Sequence, residues 1–501
     1  MKKVRNSPLE IAPKEFKKLG VNLVSRVSQH LSSLRKIGVT TAPSPSKVRK
    51  LLGGGGLPRK GVPAQRLLRQ TSELLFRNSL FNGHPRFWGY ISGSPAPIGI
   101  LGDFLASAVN PNVGAFILAP VATEMEAQTV RWIAEMIGYP KECGGILVSG
   151  GNMANFVCFI AARKAKLDGN VRAEGLGKSN KRLRIYASAE THTWIQKAAD
   201  LFGFGTDAIR WIPVTNDLRM DTKALRKQIA EDRSGGELPL MVIGTAGSVG
   251  TGAVDPLREI ASICRENNLW FHVDGAYGAL AAVVPDAPDD LHALSLADSV
   301  AVDPHKWLYS PIEAGCALVR DPHLLTDAFS YHPPYYKFEG EEGEEPTNFY
   351  EMGPQNSRGF RALKVWLGLR HAGRAGYERM ISDDIRLAKQ LFDKIKTSPE
   401  LEAGTQGLSI TTFRYVPTGL AKGNPEVEEY LNKLNTKLLE QLQNGGEAFC
   451  SNTVVRGKFL LRVCIVNFRT TIKDIEALPG IVTRIGRTLD RRMRPKELGV
   501  K

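Results

Sequence analysis

Two stretches decide the fold: LWFHVDGAYG at residues 269–278 and ADSVAVDPHKW at 297–307. Each is a short apolar run that ends on an acidic residue, Asp274 in the first and Asp303 in the second, and then turns. Apolar runs of four or five residues bounded by turns are the signature of strands buried on both faces. Thirty-two residues separate Asp274 from Lys306. That leaves room for a loop, a helical turn or two and a return strand, so both side chains can reach one edge of a sheet. Working outward, GGILVS (144–149), LRIYAS (183–188), AIRWIPV (208–214), LPLMVIGTA (238–246) and GCALVRD (315–321) repeat the pattern. Helical stretches lie between them, for example at 152–167, 190–203, 221–231 and 256–267. The alternation predicts an α/β fold, with a largely parallel sheet and helices on both faces.

The flanks read differently. Residues 1–83 predict a helical segment, with helices at 14–37 and 63–80 and a loop around Gly53–Gly56. Residues 84–385 form the expected large domain, and 386–501 a small α+β domain. The latter begins near a helix at 382–398 and continues through a strand at 408–416, a helix at 425–443 and a strand at 458–466. A further helix opens at Thr471, with Asp474 three residues on as in a capping box. The acidic run EGEEGEE (339–345) predicts an exposed mobile loop.

At 501 residues the chain is too long for one ordinary core, and 43% hydrophobic residues suit a globular protein. The net charge of +15 sits largely at the ends: residues 484–501 hold seven basic and two acidic residues. Without a basic-aromatic module or finger spacing, this charge predicts a solvated surface and not a nucleic-acid or membrane partner. The six cysteines have no CxxC spacing and read as reduced thiols of a cytoplasmic protein. No metal site is expected. The N-terminus lacks the apolar run of a signal peptide. The most hydrophobic stretch, 98–122, is broken by Asp103, Asn110, Pro111 and Asn112, which makes it a poor membrane span.

Chemistry-bearing residues stand where strands end. Lys306 follows the strand that closes on Asp303, and a lysine there can form a Schiff base. Asp274 at a neighbouring strand end can hold a protonated ring nitrogen. In VSGGNMANFVCFIAAR (148–163) a strand runs through Ser149, Gly150, Gly151 and Asn152 into a helix, which offers backbone N–H groups and a helix dipole to a phosphate. In ASAETHTWIQKA (187–198), His192 can stack on a flat ring. The small residues of GTAGSVGTGAVDP (244–256), with Thr245 and Ala246, leave such a ring room. Each piece alone has an ordinary reading: a solvated lysine, a helix N-cap, a plain turn, a structural histidine. Their joint order carries the weight.

That order resembles the group II pyridoxal 5′-phosphate (PLP)-dependent amino acid decarboxylases, whose members act on aromatic amino acids, histidine, glutamate and cysteine sulfinate. HVDGAYG followed by DPHKW is the most specific pair, and HPRFWGYISGSP (84–95), APVATEME (119–126) and LRVCIVNFRTT (461–471) are further matches. The resemblance implies the fold type I architecture, with a mostly parallel seven-stranded sheet, PLP as cofactor, and a homodimer in which the N-terminal helices pack on the partner. It implies Lys306 as the Schiff-base lysine, Asp274 as partner of the pyridine nitrogen and His192 stacked on the ring. Gly150, Gly151, Asn152, Thr245, Ala246, Ala276, Asp303, His305 and Ser357 complete the implied cofactor site. Asp303 departs from the asparagine common there; an acidic residue near phosphate must turn away or find a basic partner. Tyr335, in SYHPPYYKF (330–338), aligns with a loop acid, although the alignment can slip to Tyr336. Trp88, Tyr90, Ile91, Val113 and Ala115 align with an aromatic side-chain pocket, which implies an aromatic substrate (Trp, Tyr, Phe or DOPA). Against this, HPRF, GFGTD (203–207) and QNSR (355–358) look like the branch acting on acidic substrates such as glutamate, aspartate or cysteine sulfinate, where Arg358 would bind a carboxylate. An aromatic aldehyde synthase is a further alternative.

Overall fold

The computed structural model describes residues 7–167, 171–177, 181–331, 346–420 and 423–498. The twelve strands among these residues are β1 (Phe87–Trp88), β2 (Gly144–Val148), β3 (Leu183–Ser188), β4 (Ile209–Ile212), β5 (Leu238–Thr245), β6 (Trp270–Asp274), β7 (Ser299–Val302), β8 (Gly315–Val319), β9 (Leu401–Gly407), β10 (Ile410–Tyr415), β11 (Phe449–Val455) and β12 (Lys458–Cys464). Strands β2 to β8 form one seven-stranded sheet in the order β2-β8-β7-β6-β5-β3-β4. All pairings are parallel except those of β8, which runs against both β2 and β7. Every residue of β2, β3, β6, β7 and β8 is buried. Their apolar sequences therefore meet helices on both faces, as doubly covered parallel sheets require.

One face is covered by the helices Pro120–Met136, Thr222–Ser234 and Leu257–Glu266, and the other by Gly151–Lys166 and Trp194–Leu201. Register then fixes the level of the strand ends. Thr245 on β5 pairs with Asp274 on β6, and Asp274 pairs with Ala301 on β7. The carboxyl ends of three adjacent strands thus share one rim, the usual place for a ligand crevice in such sheets.

The second sheet has five strands in the order β1-β11-β12-β10-β9. Three of them, β1, β9 and β11, were not among the expected strands. A two-residue strand such as β1 has no periodicity to read. β9, LEAGTQG, is poor in strand formers, and β11 is partly exposed along its second half. The helix at 382–398 begins earlier than expected: it runs Ala362–Lys396, broken at Gly373, whose φ of 66° and ψ of 168° are non-helical. The expected domain division at 385 lies inside this helix. The capping box is formed by Thr471 and Asp474 at the head of helix Ile472–Met493. The run 339–345 lies outside the described residues. Among the described residues, no helix is long and apolar enough to cross a membrane, and no cluster of side chains could hold a metal ion.

Helix Ala362–Lys396 also carries a buried carboxyl behind the site. Asp384 is 2% exposed and accepts a hydrogen bond from the Tyr309 hydroxyl at 2.8 Å. Burial pushes this carboxyl up to about 8. An acid whose folded pKa is raised favours the fold most when protonated in both states, and that contribution is lost as pH rises through the folded value. The loss runs from the ordinary carboxylate value of about 4 up to the folded value of about 8, so the melting temperature should fall between about pH 4 and 8 and level off above, and Asp384→Asn should flatten the fall by a few degrees. Scanning fluorimetry across that range checks it; equal slopes for the two proteins would remove Asp384 as the cause.

Candidate active site

A cavity of about 380 Å³ opens at the shared rim of the large sheet. Its wall includes Ser149, Gly150, Gly151 and Asn152 at the head of helix Gly151–Lys166, His192 after β3, Thr245 at the end of β5, Asp274 and Ala276 at the end of β6, and Asp303, His305 and Lys306 after β7. Residues separated by more than 150 positions meet here because each follows a strand of one sheet. Ile91, Met153, Phe156, Val249 and Tyr277 supply much of the remaining lining.

The loop before helix Gly151–Lys166 is built for close approach. Gly150 has φ 137°, a region open to glycine but strained for other residues. A Cβ at Gly151 would lie 2.7 Å from Asp303 Oδ2 and 3.1 Å from the Ala276 Cβ, so no side chain fits there. The helix is 16 residues long, with Arg163, Lys164 and Lys166 in its last turn complementing the dipole. Its N-terminal end therefore presents a positive field to the cavity.

Asp274 is held on both oxygens. Trp194 Nε1 donates to Oδ2 at 2.8 Å, and the Ala276 amide donates to Oδ1 at 3.2 Å. Trp194 in turn meets the His272 ring edge-on, with centroids 5.5 Å apart. His272 is fully buried, and desolvation lowers it to about 4. It stays neutral, donating through Nε2 to Asn155 Oδ1 at 2.7 Å and facing the Ser299 hydroxyl through Nδ1 at 2.8 Å. Sequence reading did not single out Trp194, Asn155 or His272. Trp194 follows His192 by two positions, but only the fold brings its indole to a residue 80 positions away.

Lys306 Nζ lies 3.2 Å from Asp303 Oδ2, the basic partner that an acid at 303 requires. His305 donates through Nδ1 to the Ala314 carbonyl at 2.7 Å, and its ring packs on Gly150. Burial lowers the His192 pKa, opposed by the nearby Asp274 carboxylate. Thr245 receives backbone support, its amide donating to buried Asp255 at 2.8 Å.

Other expected site residues lie elsewhere. Trp88 is fully buried in the core of the second sheet, its indole donating to Thr470 at 3.2 Å. Tyr90 is exposed beside Phe449. Val113 and Ala115 are buried but do not line the cavity, so of the five aromatic-pocket candidates only Ile91 does. Ala246 joins the site through its backbone alone, linking the Asp274 carbonyl and the Gly278 amide. Ser357 is exposed outside the cavity. Arg358 is 3% exposed; it pairs with Glu126 and donates to the carbonyls of Val113 at 2.8 Å and Leu147 at 2.7 Å. A guanidinium so engaged braces the chain around β2 and is not offered to the cavity. Tyr335 and Tyr336 lie outside the described residues.

Comparison with known proteins agrees with this geometry. Residues 48–416 match the family model described as the pyridoxal-dependent decarboxylase conserved domain. The chain is 34% identical over 468 residues to an aromatic-L-amino-acid decarboxylase of Bacillus atrophaeus, covering 93% of this chain and 94% of that protein. It is 29% identical over 463 residues to a phenylacetaldehyde synthase of Petunia hybrida, covering 90% of each. The crystal structure of Oryza sativa TDC with PLP and tryptamine superposes with a TM-score of 0.89 at 26% identity, covering 98% of this chain and 100% of that one.

Proposed function

Because the chain belongs to the pyridoxal-dependent decarboxylase family, and so is a PLP-dependent amino acid decarboxylase of the fold type I architecture, we propose that it converts an aromatic L-amino acid to the corresponding amine and CO₂. The observation that carries the choice of substrate is the cavity lining. Apart from Lys306, no lysine or arginine among the described residues lines it, whereas Ile91, Met153, Phe156, Val249 and Tyr277 do. Among the described residues, a substrate with a side-chain carboxylate would meet no free cation there besides Lys306, because Arg358 is tied to Glu126. The named activity of the 34% identical Bacillus relative supports the same reading.

The residues present fit the cofactor. The helix head at Gly150–Asn152, where Gly151 leaves no room for a Cβ, would take the phosphate. Lys306 would tether the cofactor through Nζ, and Asp274 would face the ring nitrogen. When bound, PLP supplies an electron sink for the pair left as the bond from the substrate α-carbon to its carboxylate breaks. Trp194 and the Ala276 amide keep the Asp274 carboxylate from rotating. His192, beside the cavity with its pKa lowered by burial, would lie against a flat ring. Met153 and Phe156 would make one wall apolar. From its sequence position, Tyr335 would give a proton from its hydroxyl to the α-carbon. The test is a product screen over the aromatic amino acids, glutamate, aspartate and cysteine sulfinate. Amine and CO₂ in equal amounts from an aromatic substrate is the expected result. Preference for an acidic substrate, or aldehyde with hydrogen peroxide, would replace this reading with one of its alternatives.

The assembly we propose is a homodimer in the cytoplasm. Leu101, Phe104, Leu105 and Val109 are exposed on one stripe of the helix Pro97–Val109, and Ile117, Leu118 and Val121 follow close by. So much apolar surface rarely faces water in a monomer. The helices Pro13–Ser33, Pro45–Leu52 and Ala64–Asn78 bury only Leu19 and Ser72 between them, which leaves their apolar residues for a partner. All six cysteines are free thiols, in keeping with a reducing compartment. Light scattering should return about 110 kDa, twice the 54.9 kDa chain; a monomer mass would contradict the dimer.

A further inference from the structure

Asp303 follows the last residue of β7 and is 2% exposed. Its Oδ2 sits 3.2 Å from Lys306 Nζ and directly beneath the phosphate-loop glycine, where a Cβ on Gly151 would lie 2.7 Å away. Its Oδ1 has no hydrogen-bond partner among the described residues. His305 Nδ1 is 3.6 Å from it and spends its N–H on the Ala314 carbonyl. The other ionisable groups around it are His192 across the cavity, Asp274 on β6 and the buried Cys316 thiol on β8. A buried carboxylate oxygen left without a donor is uncommon and calls for an explanation. This one stands in the positive field of helix Gly151–Lys166, where an anion is expected to bind.

Resting on the cofactor reading above, we propose that Asp303 is the resident anion of the phosphate end of the site. Its carboxylate occupies part of the field at the helix head and keeps Lys306 as its counter-ion, so the chain takes up its cofactor against an internal negative charge. Lys306 is thereby held at the phosphate-loop side of the cavity that it lines. The phosphate must share the helix head with a carboxylate, which weakens its grip. The design makes the cofactor exchangeable, and its retention sensitive to competing inorganic phosphate. Asp303 is a positioning residue here: it acts through Lys306 and through the field at Gly150–Asn152.

Charge interactions of this kind are strong enough at an effective dielectric of about 20 to change affinity by an order of magnitude. The experiment measures dissociation constants by absorbance titration for PLP and for pyridoxal, which lacks the phosphate. The proteins compared are the wild type, Asp303→Asn and Asp303→Glu. Asp303→Asn should bind PLP about tenfold more tightly, and its gain for PLP should exceed its gain for pyridoxal. Inorganic phosphate should compete about tenfold better against the variant, and Asp303→Glu should stay near the wild type. Equal gains for PLP and pyridoxal would overturn the phosphate half of the proposal, and weaker PLP binding by Asp303→Asn would overturn it entirely. Asp303→Ser, smaller and neutral, should give the same sign if the asparagine variant folds poorly. A wild type that bound neither PLP nor pyridoxal would instead sink the cofactor assignment on which the proposal rests.

Discussion

Lys306→Ala should abolish turnover, lowering kcat/KM by roughly four orders of magnitude or more, the scale seen when a covalent catalytic group is removed. The protein should remain folded. Lys306 is partly exposed to the cavity, and among the described residues its ion pair is with Asp303. The main loss is expected in chemistry, with a smaller cost in stability from the Asp303 carboxylate left without its counter-ion. The purified variant should also lack the visible absorbance of lysine-bound cofactor, although the phosphate loop, built from backbone at Gly150–Asn152, is untouched. Steady-state amine formation and an absorbance spectrum check both halves. Unchanged turnover with an unchanged spectrum would mean that another lysine holds the cofactor.

Asp274→Asn should have the next largest effect, a fall in kcat of roughly 10³-fold with smaller change in KM, because the charge acts where electrons accumulate in the transition state. The geometry sharpens this expectation. Trp194 Nε1 and the Ala276 amide both donate to Asp274. An asparagine can accept on one oxygen only, so its NH₂ would face a donor at 2.8 or 3.2 Å or turn toward the cavity. Asp274→Glu keeps the charge but moves it by one methylene, and should recover part of the activity. Equal activity of Asp274→Asn and the wild type would show that the ring nitrogen has no need of this carboxylate.

The large sheet was legible because its strands announce themselves. Runs such as ILV (146–148) and VAV (300–302) are apolar throughout, are buried on both faces, and end at turns. The residues that follow those ends, Gly150, His192, Thr245, Asp274 and Lys306, gather at one rim because parallel strands bring their carboxyl ends to one level. Side-chain partners were not legible. Trp88 looked like a pocket aromatic, yet β1 pairs with β11 and carries that indole into the second core. Arg358 looked like a free guanidinium, but Glu126, 232 positions away, neutralises it in the interior. Nothing local to either residue encodes such a contact. The exposed strands of the second sheet were faint for a related reason: β9 and β11 bury only part of their length, so no clean alternation is imposed on their sequences.

The most direct test of the account is to reduce the purified holoenzyme with borohydride, digest it and map the pyridoxyl group by mass spectrometry. The account predicts the added mass on the peptide that carries Asp303-Pro304-His305-Lys306, at Lys306 itself. A label on any other lysine, or none with the cofactor lost on denaturation, would contradict it.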